Sequence, residues 1–289
     1  MSQQSRKSIT AELIAEHAHF FSCPICTRSM LFENNTTLVC TEGHSYDLAK
    51  KGYIHLLSQS VDTKYDKALF QSRQRIAESG FFTPLIEAIA DLVESARLSE
   101  NIAIFDAGCG EGSHLAQIQK YVTGNTIGFG ADISKEGIQL AASNPSKTIW
   151  LVADLAKTPL ANQKFPFILN VLSPSNYSEF DRLLTDDGQL IKVIPNSAYL
   201  QELRKIFYGD KENFDNEKTM SRFQEKFDLI KTQEVKYQVR LEQPLLNDLV
   251  KMTPLSWSAN EAKRKQVSDT SAMDITVDMT ILVGKRRKR

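Results

Sequence analysis

The sequence predicts an α/β chain: a Rossmann-like, doubly wound sheet with an antiparallel finish, preceded by a small N-terminal metal-binding module. Three observations predict it. From residue 84 onward, apolar strand-like runs alternate with helical ones. The run IAIFDAGCGEGSHLAQI (102 to 118) leads a strand into a helix through Gly108-x-Gly110-x-Gly112. Three of the four cysteines fall with one histidine between residues 23 and 44.

The first twenty residues read as an extension carrying a short amphipathic helix over Ile9 to His17. Residues 21–58 follow as the metal-binding module. Three cysteines cannot close an even disulfide framework, and the fourth, Cys109, lies in the glycine-rich stretch. Cys23-x₂-Cys26 and Cys40-x₃-His44 instead offer two short-range pairs of the ligands that Zn²⁺ takes in a tetrahedral structural site. Between them, Leu31 to Val39 reads as a hairpin turning at Glu33-Asn34-Asn35. Loss of a ligand such as Cys40 is expected to unfold this module alone. Residues 59–83 read as a linker or arm, because SQSVDTKYDKALFQSRQR has few apolar anchors and no clear period. Residues 84–289 form the main domain, opening on a helix over Pro84 to Leu98 with proline in its first turn.

Glycines at Gly108, Gly110 and Gly112 permit positive φ and close backbone approach, so the strand-turn-helix cradles a ligand. A dinucleotide fingerprint is G-x-G-x-x-G. Here the pattern is D-x-G-x-G-x-G, with Asp106 before the first glycine, which is the first motif of the class I S-adenosylmethionine (SAM) methyltransferases. Asp106 is placed to hold the ligand's ammonium. Asp132, after TIGFGADIS, is placed at a strand end to accept from both ribose hydroxyls. Asp154, after TIWLVADL, is placed to accept from the adenine amino group, with Ile133 and Leu155 packing on the ring. Asp132 alone reads equally as a helix cap.

The alternation continues through a strand over Phe165 to Leu172, a helix near Tyr177 to Leu184, a turn at Asp186-Asp187-Gly188, a strand over Gln189 to Ile194 and a helix over Ser197 to Phe207. EVKYQVRLE (234 to 242) and MDITVDMTILVG (273 to 284) alternate as a closing antiparallel pair. Lys plus Arg equals Asp plus Glu at 35 each, so net charge does not advertise nucleic acid. A basic cluster, Lys285 to Arg289, ends the sequence as a solvated or phosphate-seeking run. No apolar run reaches membrane length and Met1 to His19 is unlike a signal peptide, so a cytoplasmic location without a membrane partner is expected.

From residue 21 to the end, the chain resembles the 23S rRNA (guanine-N1-)methyltransferases of the RlmA type, the family that includes the tylosin-resistance enzymes. The resemblance rests on FSCPIC, VCTEGHSYDLAKKGYIHLL, FDAGCGEG, DIS, NVLSP (170 to 174) and MTPLSW (252 to 257); NVLSP points to the Gram-positive subgroup. It implies methylation of guanine N1 in a hairpin loop of 23S ribosomal RNA, with an effect on macrolide (tylosin) susceptibility. It also implies zinc held by Cys23, Cys26, Cys40 and His44 in an RNA-recognition module, and SAM held by the loop from Asp106 to Gly112, Glu111 included, with His114 and Leu115. Phe82 and Tyr199 join them, standing where the family has tyrosine and histidine. Ribosomal RNA is the implied partner, and pairing into a homodimer is kept as an expectation.

Guanine N1 carries a proton that must leave before or as the methyl group arrives. Asn170, at a strand end, is expected to offer donor and acceptor to the base's Watson–Crick edge, with Ser173 and Pro174 shaping the pocket floor. Asp47, Asp66 and Asp181 are loose candidates for the base. Arg28, Lys50, Lys51, Tyr53, His55 and Lys64 gather charge and rings near the zinc ligands and suit an RNA path. Two alternatives stay open: a small-metabolite methyltransferase with a structural zinc lid, and a zinc-dependent RNA-binding protein without catalysis.

Overall fold

Two asparagines set the first turn. In the computed structural model, which describes residues 5–57, 61, 65–97, 99–144, 146–209, 216–257 and 259–287, Asn34 and Asn35 adopt φ of 51° and 55°. That left-handed pair suits a two-residue hairpin. It joins β1 (Met30–Glu33) to β2 (Thr37–Cys40), and β2 pairs with β3 (Ser45–Asp47). Helix α1 (Arg6–His17) precedes this small sheet and β4 (Tyr53–His55) follows it.

Strands buried on both faces form the centre of the large sheet, as parallel pairing requires. They are β5 (Asn101–Ala107), β6 (Asn125–Asp132), β7 (Thr148–Val152), β8 (Phe165–Val171) and β9 (Leu184–Pro195). The long pair β10 (Phe227–Glu242) and β11 (Ala272–Arg286) closes it antiparallel. The order is β10-β11-β9-β8-β5-β6-β7-β4. Its direction of growth reverses between β5 and β8, which opens a crevice at the carboxyl ends of those strands. The helices are α2 (Lys67–Glu78), α3 (Thr83–Ala96), α4 (Ser113–Tyr121), α5 (Lys135–Ala141), α6 (Tyr177–Leu183), α7 (Gln201–Tyr208), α8 (Glu217–Lys226), α9 (Leu245–Met252) and α10 (Glu261–Ser268). Among the described residues, no helix is long and apolar enough to cross a membrane.

Two apolar layers flank the sheet. One gathers Ile86, Ile89, Leu115, Ile138, Leu203 and Leu249. The other gathers Ile14, Phe20, Phe21, Met30 and Leu38 with Phe129, Phe165 and Phe180. Phe20 stacks on Phe129 with ring centroids 4.7 Å apart. The interior of the metal-binding module, including buried Cys23 and Cys40, therefore continues into the main core. The three expected N-terminal segments do not separate in packing: the extension contributes Ile14 and Phe20, and β4 from the module pairs in parallel with β7 as an edge of the large sheet.

Other expectations shift for local reasons. Residues 67–78, read as part of an arm, form α2, capped by Asp66 Oδ1 accepting from Leu69 N at 2.8 Å. Its buried face is Leu69, Phe70, Ser72, Ile76 and Ala77, and the two small polar or short members hid the period. The turn at 186–188 lies inside β9, where pairing with β8 jumps from Phe165↔Leu184 to Phe167↔Gln189 and leaves residues 185–188 as an irregularity. Helix α7 starts at Gln201, because Leu200 takes φ 53° and donates to Thr276 O. Leu98 and Lys64 lie outside the described residues, as do Lys288 and Arg289 of the basic tail.

Helix α2 is fastened to α9 by one ion pair. Arg75 donates through Nε and Nη2 to the two carboxylate oxygens of Asp248 at 2.7 and 2.6 Å, and Ser72 Oγ adds a third bond at 2.9 Å. The Arg75 hydrogen bonds, with those from Ser72, hold the Asp248 carboxyl below its ordinary 3.8. Its stabilising effect is complete above about pH 4 and is lost as pH falls through the depressed folded value. Asp248→Asn is expected to cost about 1–2 kcal/mol at pH 7, reduced by the partial exposure of Arg75. The difference from wild type should shrink below pH 4 in denaturant unfolding, while hydrogen exchange rises along residues 67–78.

Candidate functional site

The four metal-binding candidates meet at one point. Cys26 and Cys40 Sγ are 3.6 Å apart, Cys23 Sγ lies 3.6 Å from His44 Nδ1, and Cys40 Sγ lies 3.3 Å from the same nitrogen. All four ligand atoms fall within 4.8 Å of one another. A tetrahedron with bonds of about 2.3 Å to sulfur and 2.0 Å to nitrogen has edges of about 3.5–3.8 Å, so the donors fit Zn²⁺. The positions follow from local structure: Cys23 and Cys26 sit in a turn where Thr27 N donates to Cys23 O, and Cys40 N donates to His44 O across the second turn. Burial raises the Cys40 thiol, but backbone N–H groups of Glu42 and His44 outweigh it and bring it down to about 6, which favours a thiolate ligand.

The second site opens at the crevice. A cavity of about 1480 Å³ is walled by the glycine loop after β5, the ends of β6 and β7, the turn after β8, and by α2, α8 and the segment after α9. In the loop, Gly108 and Gly112 take φ of 83° and 79°. A Cβ on Gly108 would lie 1.9 Å from Ser173 Oγ, and one on Gly112 would lie 2.3 Å from the Trp150 ring. Gly112 is thus a packing requirement, while Gly108 brings the loop against the Asn170 to Pro174 turn. Asp132 pins the loop from the next strand: Oδ2 accepts from Gly110 N at 2.9 Å and Oδ1 from Ser134 N at 2.8 Å. The cap of α5 is Ser134, not Asp132.

Charge in this region is one-sided. Burial, with Asp132 and Glu111 nearby, pushes the Asp106 carboxyl up to about 8. Burial raises Glu111 and Asp132 as well. Glu111 Oε2 has no hydrogen-bond partner, and the cation facing it is Arg73 of α2, Nε at 4.0 Å. His114 lines the cavity with Nε2 also unpartnered, and burial together with Arg73 holds its imidazole neutral at about 4. An acid excess with two orphaned polar atoms fits a ligand that brings a positive charge and hydrogen-bond donors, as SAM does.

The remaining predicted residues divide. Phe82, Ile133, Asp154, Leu155 and Tyr199 line the cavity, with Phe82 edge-on to His114 at 5.0 Å between centroids. Asp154 is exposed and its Oδ1 accepts from Ala156 N at 2.8 Å. Leu115 is fully buried in α4 and does not line the cavity, because it points to the layer beneath the sheet. Asn170 is fully buried too. Its Nδ2 donates to Ala107 O and Pro174 O, both at 3.1 Å, while Oδ1 accepts from Ser175 Oγ and Lys192 Nζ, both at 2.8 Å. Every bond it can make is used within the wall, so the expected contact to a base edge has no free donor or acceptor. Asn170 instead ties the turn after β8 to the end of β5.

The loose base candidates are also engaged: Asp47 accepts from Thr37 Oγ1 in the small sheet, Asp66 caps α2, and Asp181 pairs with Arg286 Nε at 3.1 Å. On the expected RNA path, Arg28 lies 3.7 Å from Glu42, Lys51 donates to Gln139, and Tyr53 is buried in β4. The cavity wall instead carries Arg73, Lys192, Arg222 and Lys226, which the sequence reading did not single out, and Arg287 of the basic cluster. Arg287 carried a signal through that cluster and Lys192 through its place in an apolar strand; Arg73 lay in the stretch read as an arm.

Residues 21–65 match the RlmA N-terminal zinc-ribbon family and residues 104–188 a methyltransferase-domain family. YxjB of Bacillus subtilis (strain 168), provisionally assigned as a 23S rRNA (guanine-N(1)-)-methyltransferase, is 41% identical over 273 residues, 92% of this chain and 97% of that one. The 23S rRNA (guanine(748)-N(1))-methyltransferase of Streptomyces fradiae is 27% identical over 270 residues, 91% of this chain and 96% of that one. Among solved structures, YcgJ of Bacillus subtilis shares 13% identity at a TM-score of 0.44, over 68% of this chain and 97% of that one.

Two outcomes test the sites. Protein purified without chelators should carry one equivalent of zinc by elemental analysis, and Cys40→Ser should lose it. Because the module's interior continues into the main core, the loss should lower stability of the whole chain in one transition, by about 3 kcal/mol or more, roughly 6–12 °C in Tm. A separate low-temperature transition of the module would contradict the shared core. Asp132→Ala frees Gly110 N and removes an acceptor from the cavity; calorimetry should show SAM binding weakened by about 1.5–3 kcal/mol, roughly 10- to 150-fold.

Proposed function

The chain belongs to the 23S rRNA (guanine-N1-)methyltransferase family, and from that premise we propose that it transfers the methyl group of SAM to N1 of a guanine in 23S ribosomal RNA. It is a SAM-dependent methyltransferase with a structural zinc ribbon. The observation that carries the choice of substrate is the size and make-up of the cavity. Pockets for one drug-sized ligand hold about 300–1,000 Å³; at about 1480 Å³ this one has room for a cofactor and a base turned out of its stack.

When bound, SAM supplies an electrophilic methyl group on a sulfonium. The protein's part is to hold, orient and exclude. Glu111, His114 and Asp132 serve the cofactor, backed by Asp106. Phe82 and Tyr199 wall it in. On the acceptor side, Leu172 takes φ 51°, a strained conformation for a leucine, and keeps 38% of its surface exposed in the cavity wall. It gives the base an apolar platform at a fixed height. Tyr65 and Trp257, rings 5.7 Å apart and both exposed, offer stacking surfaces at the rim. Asn170 acts as a positioning residue. Arg222, Lys226 and Arg287 suit the phosphates of the entering strand better than the lysines near the ribbon. The reaction belongs in the cytoplasm, with ribosomal RNA, and its loss should alter tylosin susceptibility.

The test is transfer of tritium from labelled SAM to 23S ribosomal RNA, followed by primer extension, which stops at a guanine methylated on N1. A single stop in a hairpin loop is expected. Label on small metabolites with none on RNA would favour the metabolite reading, and binding of RNA and SAM without transfer would favour an inactive protein.

A further inference from the structure

Lys192 is a buried cation that neither the cofactor site nor the sheet needs. It stands in β9 opposite Asn170 of β8, 5% exposed, and lines the cavity. Its Nζ donates to Ser175 Oγ at 2.7 Å, to Asn170 Oδ1 at 2.8 Å and to Ser173 O at 3.4 Å. Among the described residues, no carboxylate pairs with it. Asn170 faces it from β8, Ser173 and Ser175 from the following turn, and β11 pairs beside it through Leu282; none of these titrates. The nearest titratable neighbour in the chain of contacts is Tyr177, bonded to Ser175, and Asp181, Arg222, Lys226 and Arg287 stand elsewhere on the cavity wall. An ammonium buried without an anion is costly, and burial brings this one down to about 8. Ser175, half-buried and on the same wall, is the more exposed of the two.

We propose that Ser175 and Lys192 form the relay that removes the proton from the methyl-accepting nitrogen. This rests on the guanine-N1 reading above and supplies the base that its carboxylates do not. With the amine neutral, the Ser175 hydroxyl rotates from Asn170 Oδ1 toward Nζ. The N1–H bond of the base then breaks, its proton going to Ser175 Oγ as the hydroxyl proton goes to Nζ. The electron pair left on N1 forms the bond to the methyl carbon, and the carbon–sulfur pair departs on sulfur. The resulting ammonium is held by Asn170 Oδ1 and Ser173 O until it yields its proton to water. Asn170 thereby positions both the turn and the amine.

Single-turnover transfer to the RNA should be measured from pH 6 to 9.5. In wild type, the rate should rise about tenfold per pH unit and level near 8. Lys192→Met should be at least about 100-fold slower at pH 7.5, within the range of general base catalysis, and the levelling should vanish. Lys192→Arg should be equally slow, because a guanidinium stays protonated; a cation needed only for structure would be rescued by it. SAM affinity by calorimetry should change less than about twofold in both. Should Lys192→Met fail to fold, Ser175→Ala, expected at least about tenfold slower, tests the same relay. Independently of activity, NMR of ¹³C-labelled lysine, assigned by the Lys192→Arg spectrum, should show Lys192 titrating near 8. Full activity of the arginine variant, an unchanged pH profile in the variants, or titration at the ordinary 10.5 would each overturn the relay. Wild type inactive on ribosomal RNA, with Lys192 titrating near 8, would count against the substrate reading and leave the amine's assignment standing.

Discussion

Three carboxylates buried around one glycine loop, facing a single guanidinium, are the imbalance around which the site is arranged. Asp106 meets it by taking up a proton near neutrality. Asp132 meets it by spending both oxygens on backbone N–H groups, which gives the loop its shape. Glu111 has neither remedy and rests on Arg73 at 4.0 Å. Since Arg73 comes from α2, and α2 is held through Arg75 and Asp248, the balance of charge at the loop depends on a helix outside the sheet. A cationic ligand entering here gains from charge already laid down rather than recruited, the usual meaning of preorganisation.

The floor of the cavity obeys the opposite rule. There one ammonium is surrounded by neutral acceptors, and Asn170 joins it to the end of β5. The two halves are therefore tuned in opposite directions: an excess of acid where a cation binds, an excess of base where a proton leaves. Only the turn from Leu172 to Ser175 separates them, and its contact with Gly108 leaves no room for a side chain on that residue.

Much of this was legible in the sequence. The spacing of Cys23, Cys26, Cys40 and His44 is local chemistry, since each pair needs only one turn to converge. The parallel strands followed from apolar runs, and the strand-end acids from their places after those runs. What escaped was set by tertiary contact. Helix α2 hid because Ser72 and Ala77 occupy its buried face. Lys192 hid inside an apolar strand, where one charged residue reads as an exposed interruption rather than a buried amine. Asn170 was assigned to the base because its residue type suits a Watson–Crick edge; that all its bonds are used depends on Ala107 and Lys192, on two strands distant in sequence, as well as on Pro174 and Ser175 of its own turn. The family resemblance brought Leu115 to the cofactor together with His114, but one step along a helix turns a side chain by about 100°.

The stacking of Phe20 on Phe129 and the pairing of β4 with β7 carry a consequence for biosynthesis. Residues 5–57 leave the ribosome before residues 129 to 165, which supply surfaces that cover them. At about 5–20 residues per second, the ribbon waits on the order of 5–20 s with its apolar side uncovered. During that interval, order in the ribbon rests on its own three-stranded sheet and on metal capture. A chain that captures zinc in that interval brings its four ligands together before the apolar surfaces of Phe129 and Phe165 arrive to cover it.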